Sequence, residues 1–301
     1  MSCDKIPTTF SRTNTCKIGH TDPREFDAVV SKLREFFRGR KEFTECHGQS
    51  RLSILSACEQ PENIAEFNYV GKPYCLPQTT QLQLEFELLD DPTHKGLFSV
   101  CTSYRQEPNP TPGRHNLIFP LFDFEMHGDM EDLLQFEREL CEFLGYGPAD
   151  SFKRFTYDEV CKMYDVKDGI LDHDHEQRLC DDHGAVVFIT DFPNRSDPFW
   201  NMMQHDNGTH AKKIDVIMSG METIGSAQRS SDPAQMREMF DTIADGGYKQ
   251  ILYDRFSEER TEAEMKDFLS LPFITRSGGG IGITRLISSM KKEGLLKTNS
   301  D

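Results

Sequence analysis

Beyond residue 21 the apolar positions first fall at helical spacing. Phe26, Val29, Val30, Leu33, Phe36 and Phe37 follow an Asp22-Pro23 start, predicting an amphipathic helix that ends near Gly39. Residues before it are polar and unpatterned and read as a loose tail, 1–23. Between Glu42 and Asn68 the pattern is mixed and predicts no element. Gly71 to Gln81 reads as a short strand entering a loop, and a helix follows through Leu82, Leu84, Phe86 and Leu88. Leu97–Cys101 and Asn116–Glu125 read as strands of a hairpin, joined by the breaker-rich Pro108-Asn-Pro-Thr-Pro-Gly113. Asp129 to Leu144 is a helix with Leu133, Leu134, Phe136, Leu140 and Phe143 on its apolar face.

Thr156-Tyr-Asp-Glu159 is a capping box that opens a short helix. Ala185–Thr190 reads as a buried strand, and Lys213–Met218 with Glu222–Ser226 as a second hairpin. Asp232-Pro233 starts a helix, and Thr261–Leu269 forms another. Near the end, Gly278, Gly279, Gly280 and Gly282 lie within five residues and a helical pattern follows at once. That predicts a glycine-rich turn from strand to helix. Hairpins and separate blocks of helices specify an α+β fold with a mainly antiparallel sheet flanked by helices, here one domain over residues 24–301.

Charge narrows the partners. The 301 residues carry a net charge of −16, the reverse of a protein that grips nucleic-acid backbone. No apolar run approaches the roughly 18 residues of a membrane span, and the N-terminus has no apolar signal core. The expectation is a cytoplasmic protein that meets no membrane and binds a small anionic ligand. The nine cysteines are odd in number and show no C-x-x-C spacing, which predicts reduced, mostly buried thiols.

Three stretches carry candidate chemistry. In the glycine-rich one, backbone can approach a ligand or adopt positive φ, and the helix start favours phosphate, with Arg285 in its first turn. By itself it is equally a bare turn. In the second, Arg105 and Glu107 are two apart, so on a strand they share a face. The arginine suits a phosphate and the carboxylate an amino group, although the pair alone is better read as a solvated ion pair. Arg114 and His115 lie beyond the loop, like a gate over a polyphosphate. In the third, Asp215 and Glu222 flank a turn at Ser219-Gly220. Across a loop of about four residues they would face each other, and Mg²⁺ would relieve the repulsion. Splayed apart, they would simply be solvated. Arg229 can fix a substrate carboxylate. Together these groups suit nucleotide activation.

The same residues resemble the catalytic core of class II aminoacyl-tRNA synthetases, in the aspartyl/asparaginyl branch. Gly278-x-Gly280-x-Gly282-x-x-Arg285 is similar to the third motif of that family. Arg105-x-Glu107, Arg114-His115 and Phe119…Asp123-x-Glu125 resemble the second, and Asp215…Glu222-x-x-Gly225-Ser226-x-x-Arg229 the metal acids and substrate arginine. Gln78-Thr-Thr-Gln81 looks like the amino-acid loop. The resemblance implies ATP and Mg²⁺ as cofactors. Arg105 would hold the α-phosphate, Glu107 the adenine amino group, and Arg114 or His115 the γ-phosphate. Phe119 and Arg285 would sandwich the adenine, against Gly282. Asp215 and Glu222 would hold the metal, with Glu222 also serving ATP. Gln81, Asp123, Glu176, Ser226 and Arg229 would bind an acidic or amide amino acid. Arg105 and Arg285 would stabilise in-line attack on the α-phosphate.

Departures shape the expected function. The chain starts almost at the core, leaving no room for the branch's anticodon-binding barrel, and its charge disfavours tRNA. No proline stands near Gln49-Ser50, where the family's dimer motif would have one, so the expected homodimer rests on the resemblance. Leu84 and Leu121 replace a lysine and a glutamine of aspartyl enzymes. The chain therefore most resembles ammonia-dependent asparagine synthetases, which adenylate aspartate and form the amide. The alternatives are aminoacyl transfer to tRNA or another amine, and a non-catalytic module that binds ATP or an amino acid. Asp172-His173-Asp-His175-Glu176 reads as an acidic helix start rather than a metal site, Trp200 as core or pocket wall, and His205–His210 as a flexible turn.

Overall fold

The computed structural model describes residues 21–48, 53–55, 61–110, 116–196 and 198–296. The tail before residue 21, the segment around Gln49-Ser50, and Arg114 and His115 lie outside them.

The chain opens on α1, Pro23–Arg34, whose Asp22 cap accepts from the Arg24 N–H at 2.8 Å. A wider π-type coil continues it over Glu35–Arg40, ending where the sequence predicts. The mixed stretch holds two short strands, β1 (Thr44–Glu45) and β2 (Glu66–Tyr69). Then come β3 (Lys72–Cys75), α2 (Gln81–Asp90), β4 (Gly96–Tyr104) and β5 (Ile118–His127). Asp129 caps α3 (Met130–Leu144), and β6 (Lys153–Thr156) runs into the capping box of α4 (Tyr157–Met163). Next are α5 (His173–His183), β7 (Val186–Pro193), β8 (His210–Met218) and β9 (Met221–Gln228). Three helices follow, α6 (Pro233–Thr242), α7 (Gly247–Phe256) and α8 (Glu258–Leu269). The chain closes with β10 (Arg276–Gly282) and α9 (Ile283–Lys292).

Eight strands form one sheet in the order β1-β4-β5-β10-β9-β8-β7-β6. The two outermost pairings are parallel and the five between them antiparallel. The α+β expectation holds. One face of this sheet is a phenylalanine-rich core. Phe98, Phe122, Phe124, Ile224, Val216 and Phe188 pack there against α1, α3 and α9, with the Phe98 and Phe122 rings stacked at 5.1 Å. Trp200 is fully buried in a second cluster with Phe240 and Phe268, as core. The six described cysteines are free thiols, four of them buried. Among the described residues, no helix is long and apolar enough to cross a membrane.

The glycine-rich segment departs from the expected turn. It is β10, wholly buried and paired on both sides, and none of its four glycines has positive φ. Glycine is required here by close approach. A Cβ on Gly278 would lie 1.9 Å from Glu125 Oε2, and one on Gly279 would lie 2.4 Å from Ser226 Cβ. Two other expectations are corrected. Strand β4 stops at Tyr104, so Arg105 and Glu107 do not share a strand face. The Tyr104 and Gln106 amides turn instead to Pro77 O and Asn63 O, at 2.9 and 2.8 Å. The second hairpin turns on only two residues, Ser219 and Gly220, with φ of 53° and 92°.

Candidate active site

Residues paired across a ladder point to the same side of a sheet. Gly278 and Gly280 of β10 oppose Glu125 and Asp123 of β5. On the other flank, Gly280 opposes Gly225 of β9, and Gly225 opposes Asp215 of β8. Phe119 lies on the same alternation of β5, opposite Ser103 of β4. Phe119, Asp123, Glu125, Gly280, Gly225 and Asp215 thus share the face opposite the phenylalanine core. Its middle is floored by glycine, with carboxylates on both sides.

One end is a buried network. Asp123 is fully buried. Its Oδ2 accepts from the Thr80 N–H at 2.6 Å and from the hydroxyls of Thr80 and Thr79 at 2.8 and 3.0 Å. Its Oδ1 has no hydrogen-bond partner among the described residues. That atom and Gln81 Nε2 lie 2.8 and 3.0 Å from where a Cβ on Gly280 would be. Burial pushes the Asp123 carboxyl up, and the Thr80 and Thr79 donors oppose the shift. Beside it, Arg229 donates to both Glu125 oxygens at 3.2 Å and to Gln81 Oε1 at 2.6 Å. Burial raises the Glu125 carboxyl against the pull of Arg229.

Two members of this network escaped the sequence reading. Glu85 lies 3.7 Å from Arg229, accepts from Arg276 at 2.6 and 2.9 Å, and accepts from Asn201 at 2.7 Å. Glu85 and Arg276 are both wholly buried. The available signal was two unlike charges, each within an apolar or glycine-rich run, with no solvated face to serve.

At the other end, Asp215 and Glu222 converge despite not facing each other in register. The ladder slips between Val216 and Ile217, leaving Thr223 as an extra residue. Glu222 opposes Ile217, which lies on the Asp215 side of β8, and the bulge sets Gly225 rather than Ile224 opposite Asp215. Glu222 Oε1 and Asp215 Oδ1 lie 2.9 and 3.7 Å from the position of a Cβ on Gly225. Glu176 Oε2 accepts from the Glu222 N–H at 3.2 Å. Arg285 donates to Glu222 O at 2.7 Å and lies 3.6 Å from its Oε2. Lys213 donates to both Asp215 oxygens, at 2.5 and 2.6 Å. Burial raises the Asp215 carboxyl; Lys213 opposes the shift and Glu222 adds to it.

Of the remaining expected residues, Arg105 lies with its guanidinium 5.5 Å from the Phe119 ring centre, and Glu107 sits two residues further on. Gly282 caps α9 opposite Leu121. Ser226 does not join the site. It pairs with Gly279 and Ile214, which face the core, and its hydroxyl donates to Ile214 O at 3.3 Å. The expected helix start at Asp172 is present, with His175 folded back onto its cap. The turn at His205–His210 is anchored rather than loose. His205 and His210 contact Asp191 and Asp158 at 2.6 and 3.0 Å, beside a cleft of about 500 Å³ that none of the expected site residues lines.

Among the described residues, no group of three or more histidine, cysteine or acidic side chains is placed to hold a metal. Two carboxylates over a glycine fit Mg²⁺, which completes such a set with substrate phosphates and water. Asp215 and Glu222 would hold it.

The sequence matches the family described as tRNA synthetases class II (D, K and N) over residues 25–297. It is 25% identical to the cytoplasmic asparagine–tRNA ligase of Dictyostelium discoideum over 88% of this chain and 44% of that protein. It is 24% identical to the aspartate–tRNA(Asp) ligase of Thermoplasma acidophilum over 86% of this chain and 62% of that one. The chain thus spans about half to three-fifths of these relatives. The asparaginyl-tRNA synthetase of Pyrococcus horikoshii, complexed with asparaginyl-adenylate, shares the fold. Its TM-score is 0.72 at 19% identity, over 89% of this chain and 64% of that one. With the family's sequence pattern running through nearly all the described residues and its sheet beneath the site, the chain belongs to the class II tRNA synthetases of the aspartyl, lysyl and asparaginyl group.

Proposed function

We propose that this chain is an AMP-forming ligase that activates aspartate with ATP and passes the acyl group to ammonia, giving asparagine. The observation that carries the activation step is the single glycine-floored face. A buried carboxylate oxygen with no partner among the described residues stands with Arg229 at one end of it, and a metal-suited acid pair with Arg285 at the other. An amino acid offers an ammonium to Asp123 Oδ1 and a carboxylate to the Arg229 edge. Phe119 and Arg105 supply a ring and a cation for the nucleotide.

In the first step a substrate carboxylate oxygen attacks the α-phosphorus, and the bond to pyrophosphate breaks. In the second, ammonia attacks the acyl carbon, AMP leaves, and the extra proton goes to solvent. Magnesium, when bound, neutralises phosphate charge. Arg105 and Arg285 oppose the charge that develops on the transferred phosphoryl group. The chain's own scaffold does the positioning, since the groups named sit on strands or just past their ends, with Arg285 in the first turn of α9.

Ammonia is favoured as acceptor by the net charge of −16, which repels a polyanion. The printed names of the relatives favour tRNA as a second acceptor. Purified protein with ATP, Mg²⁺ and aspartate should release AMP and pyrophosphate, and added ammonium should yield asparagine. Release of AMP that total tRNA stimulates and ammonium does not would move the reading to aminoacylation. No pyrophosphate exchange with aspartate, asparagine, glutamate or glutamine would end the enzyme reading.

A further inference from the structure

Lys213 stands where the acid pair would otherwise be open. It lies two residues before Asp215 on β8, so both side chains leave the same face. Its ammonium bridges both oxygens of Asp215, at 2.5 and 2.6 Å. The ammonium is 3.7 Å from the centre of the Phe192 ring, which holds it in place by its face. Side-chain exposure is 20% for Lys213 and 11% for Asp215, so the contact is largely shielded from water.

The cations around Gly225 then offset most of the acid charge. Asp215, Glu222 and the neighbouring Glu176 contribute three negative charges, and Lys213 and Arg285 contribute two positive ones. A divalent cation approaching without nucleotide meets a site with little net charge to attract it, and one of the two carboxylates beside Gly225 is already occupied. A triphosphate changes this. Its oxygens compete for the Lys213 ammonium, which the flexible four-carbon stem lets turn toward them, and supply the ligands that two carboxylates lack.

We propose that Lys213 is the resident counter-ion of the acid pair, holding Asp215 until nucleotide phosphates draw it away, so that the divalent cation enters with the nucleotide and not ahead of it. The nucleotide arm rests on the adenylating reading above. The nucleotide-free arm does not, because it reports on Lys213 whether or not the chain makes AMP.

The test is Mn²⁺ binding to the full chain, followed by the loss of the free-ion electron paramagnetic resonance signal. Without nucleotide, wild type should bind Mn²⁺ weakly, and Lys213→Met should bind one ion per chain about tenfold or more tightly, because a unit charge at contact distance has gone. Adding Asp215→Asn to that variant should abolish the gain. Lys213→Arg, which keeps the charge, should behave like wild type and controls for loss of packing if Lys213→Met is unstable. With a non-hydrolysable ATP analogue, wild type should take up Mn²⁺. Nucleotide-free wild type that binds Mn²⁺ as tightly as Lys213→Met would overturn the proposal, as would Lys213→Arg binding more tightly than wild type. Wild type that takes up no Mn²⁺ with the analogue, while Lys213→Met binds it without one, would overturn the adenylating reading and leave the counter-ion role standing.

Discussion

Adding one methyl group at adjacent positions of β10 separates fold from function. A Cβ on Gly279 points into the core and meets Ser226 Cβ at 2.4 Å, Gly225 O at 2.7 Å and Ser226 Cα at 2.9 Å. Two of these are backbone atoms of the neighbouring strand, so β9 and β10 must part. Gly279→Ala should therefore cost on the order of 3 kcal/mol or more, at the upper end for overpacking. For a chain of this size that is a fall in melting temperature of roughly 6–12 °C. A Cβ on Gly280 points to the site and meets Asp123 Oδ1 at 2.8 Å and Gln81 Nε2 at 3.0 Å. Both are ends of side chains and can shift. Gly280 has an ordinary φ, so alanine fits its backbone and restricts the unfolded chain by about 0.4–1 kcal/mol. These effects offset, and Gly280→Ala should melt within about 2–3 °C of wild type.

The activities should rank the other way. The Gly280 methyl occupies the space where an ammonium would sit, beside Asp123 Oδ1, which has no partner among the described residues. A steric cost of about 1–3 kcal/mol there is a loss of roughly 5- to 150-fold in amino-acid affinity. The assays are a thermal melt of both variants and pyrophosphate exchange across an aspartate titration. A folded Gly280→Ala protein with wild-type KM for aspartate would refute the placement of the amino acid. Equal melting shifts for the two variants would refute the assignment of the two faces.

Three further outcomes follow from the buried charges. Glu85→Ala leaves Arg276 buried without its carboxylate and should lower unfolding free energy by about 3–5 kcal/mol in urea titration. Arg285→Ala removes a half-buried contact to Glu222; its stability should change by less than about 1 kcal/mol, while the KM for ATP rises and AMP formation falls at least about tenfold. Glu137 of α3 is wholly buried, and burial pushes its carboxyl from 4.5 up to about 8, against the pull of the Ser226 hydroxyl and with the Asp215 charge adding to the rise. In that window the folded protein holds a proton that the unfolded chain has released, so stability is full below about 4.5 and is lost as pH rises through about 8. Wild type should therefore melt progressively below Glu137→Gln between pH 5 and pH 8.5, by a few kcal/mol at most; parallel melting curves across that range would count against the shift.

Much of the architecture was legible because apolar period and caps agree locally. The Asp129 and Thr156 caps, the two hairpins and α9 all lie within a few residues of expectation. What failed did so where a partner far along the chain decides. Residues Arg276 to Gly282 have the composition of a turn, and only the Glu125, Asp123 and Ser226 side chains show why a flat strand needs glycine there. Arg105 and Glu107 alternate like a strand, yet the Gln106 amide between them bonds to Asn63 O, outside the sheet. The two-residue β1 and four-residue β6 are edge strands, too short for alternation to register.

The same argument separates the site residues that motif spacing found from those it missed. Spacing identified Asp215 and Glu222, and a two-residue turn already puts them on one face. What spacing does not give is the extra residue, Thr223, that sets Gly225 rather than Ile224 opposite Asp215, and no side-chain pattern announces it. Conversely, Ser226 belongs to the motif by spacing, and alternation from Gly225 sends it to the core. Lys213 and Glu85 were passed over because each looks like a solvated charge when read alone. Their roles exist only through burial, which turns an exposed pair of little consequence into one that fixes its partner. The variant that removes Lys213 therefore carries information that the motif residues cannot. Substituting Asp215 or Glu222 would abolish cation binding under any ordering of events, whereas only a resident counter-ion makes its own loss tighten the site.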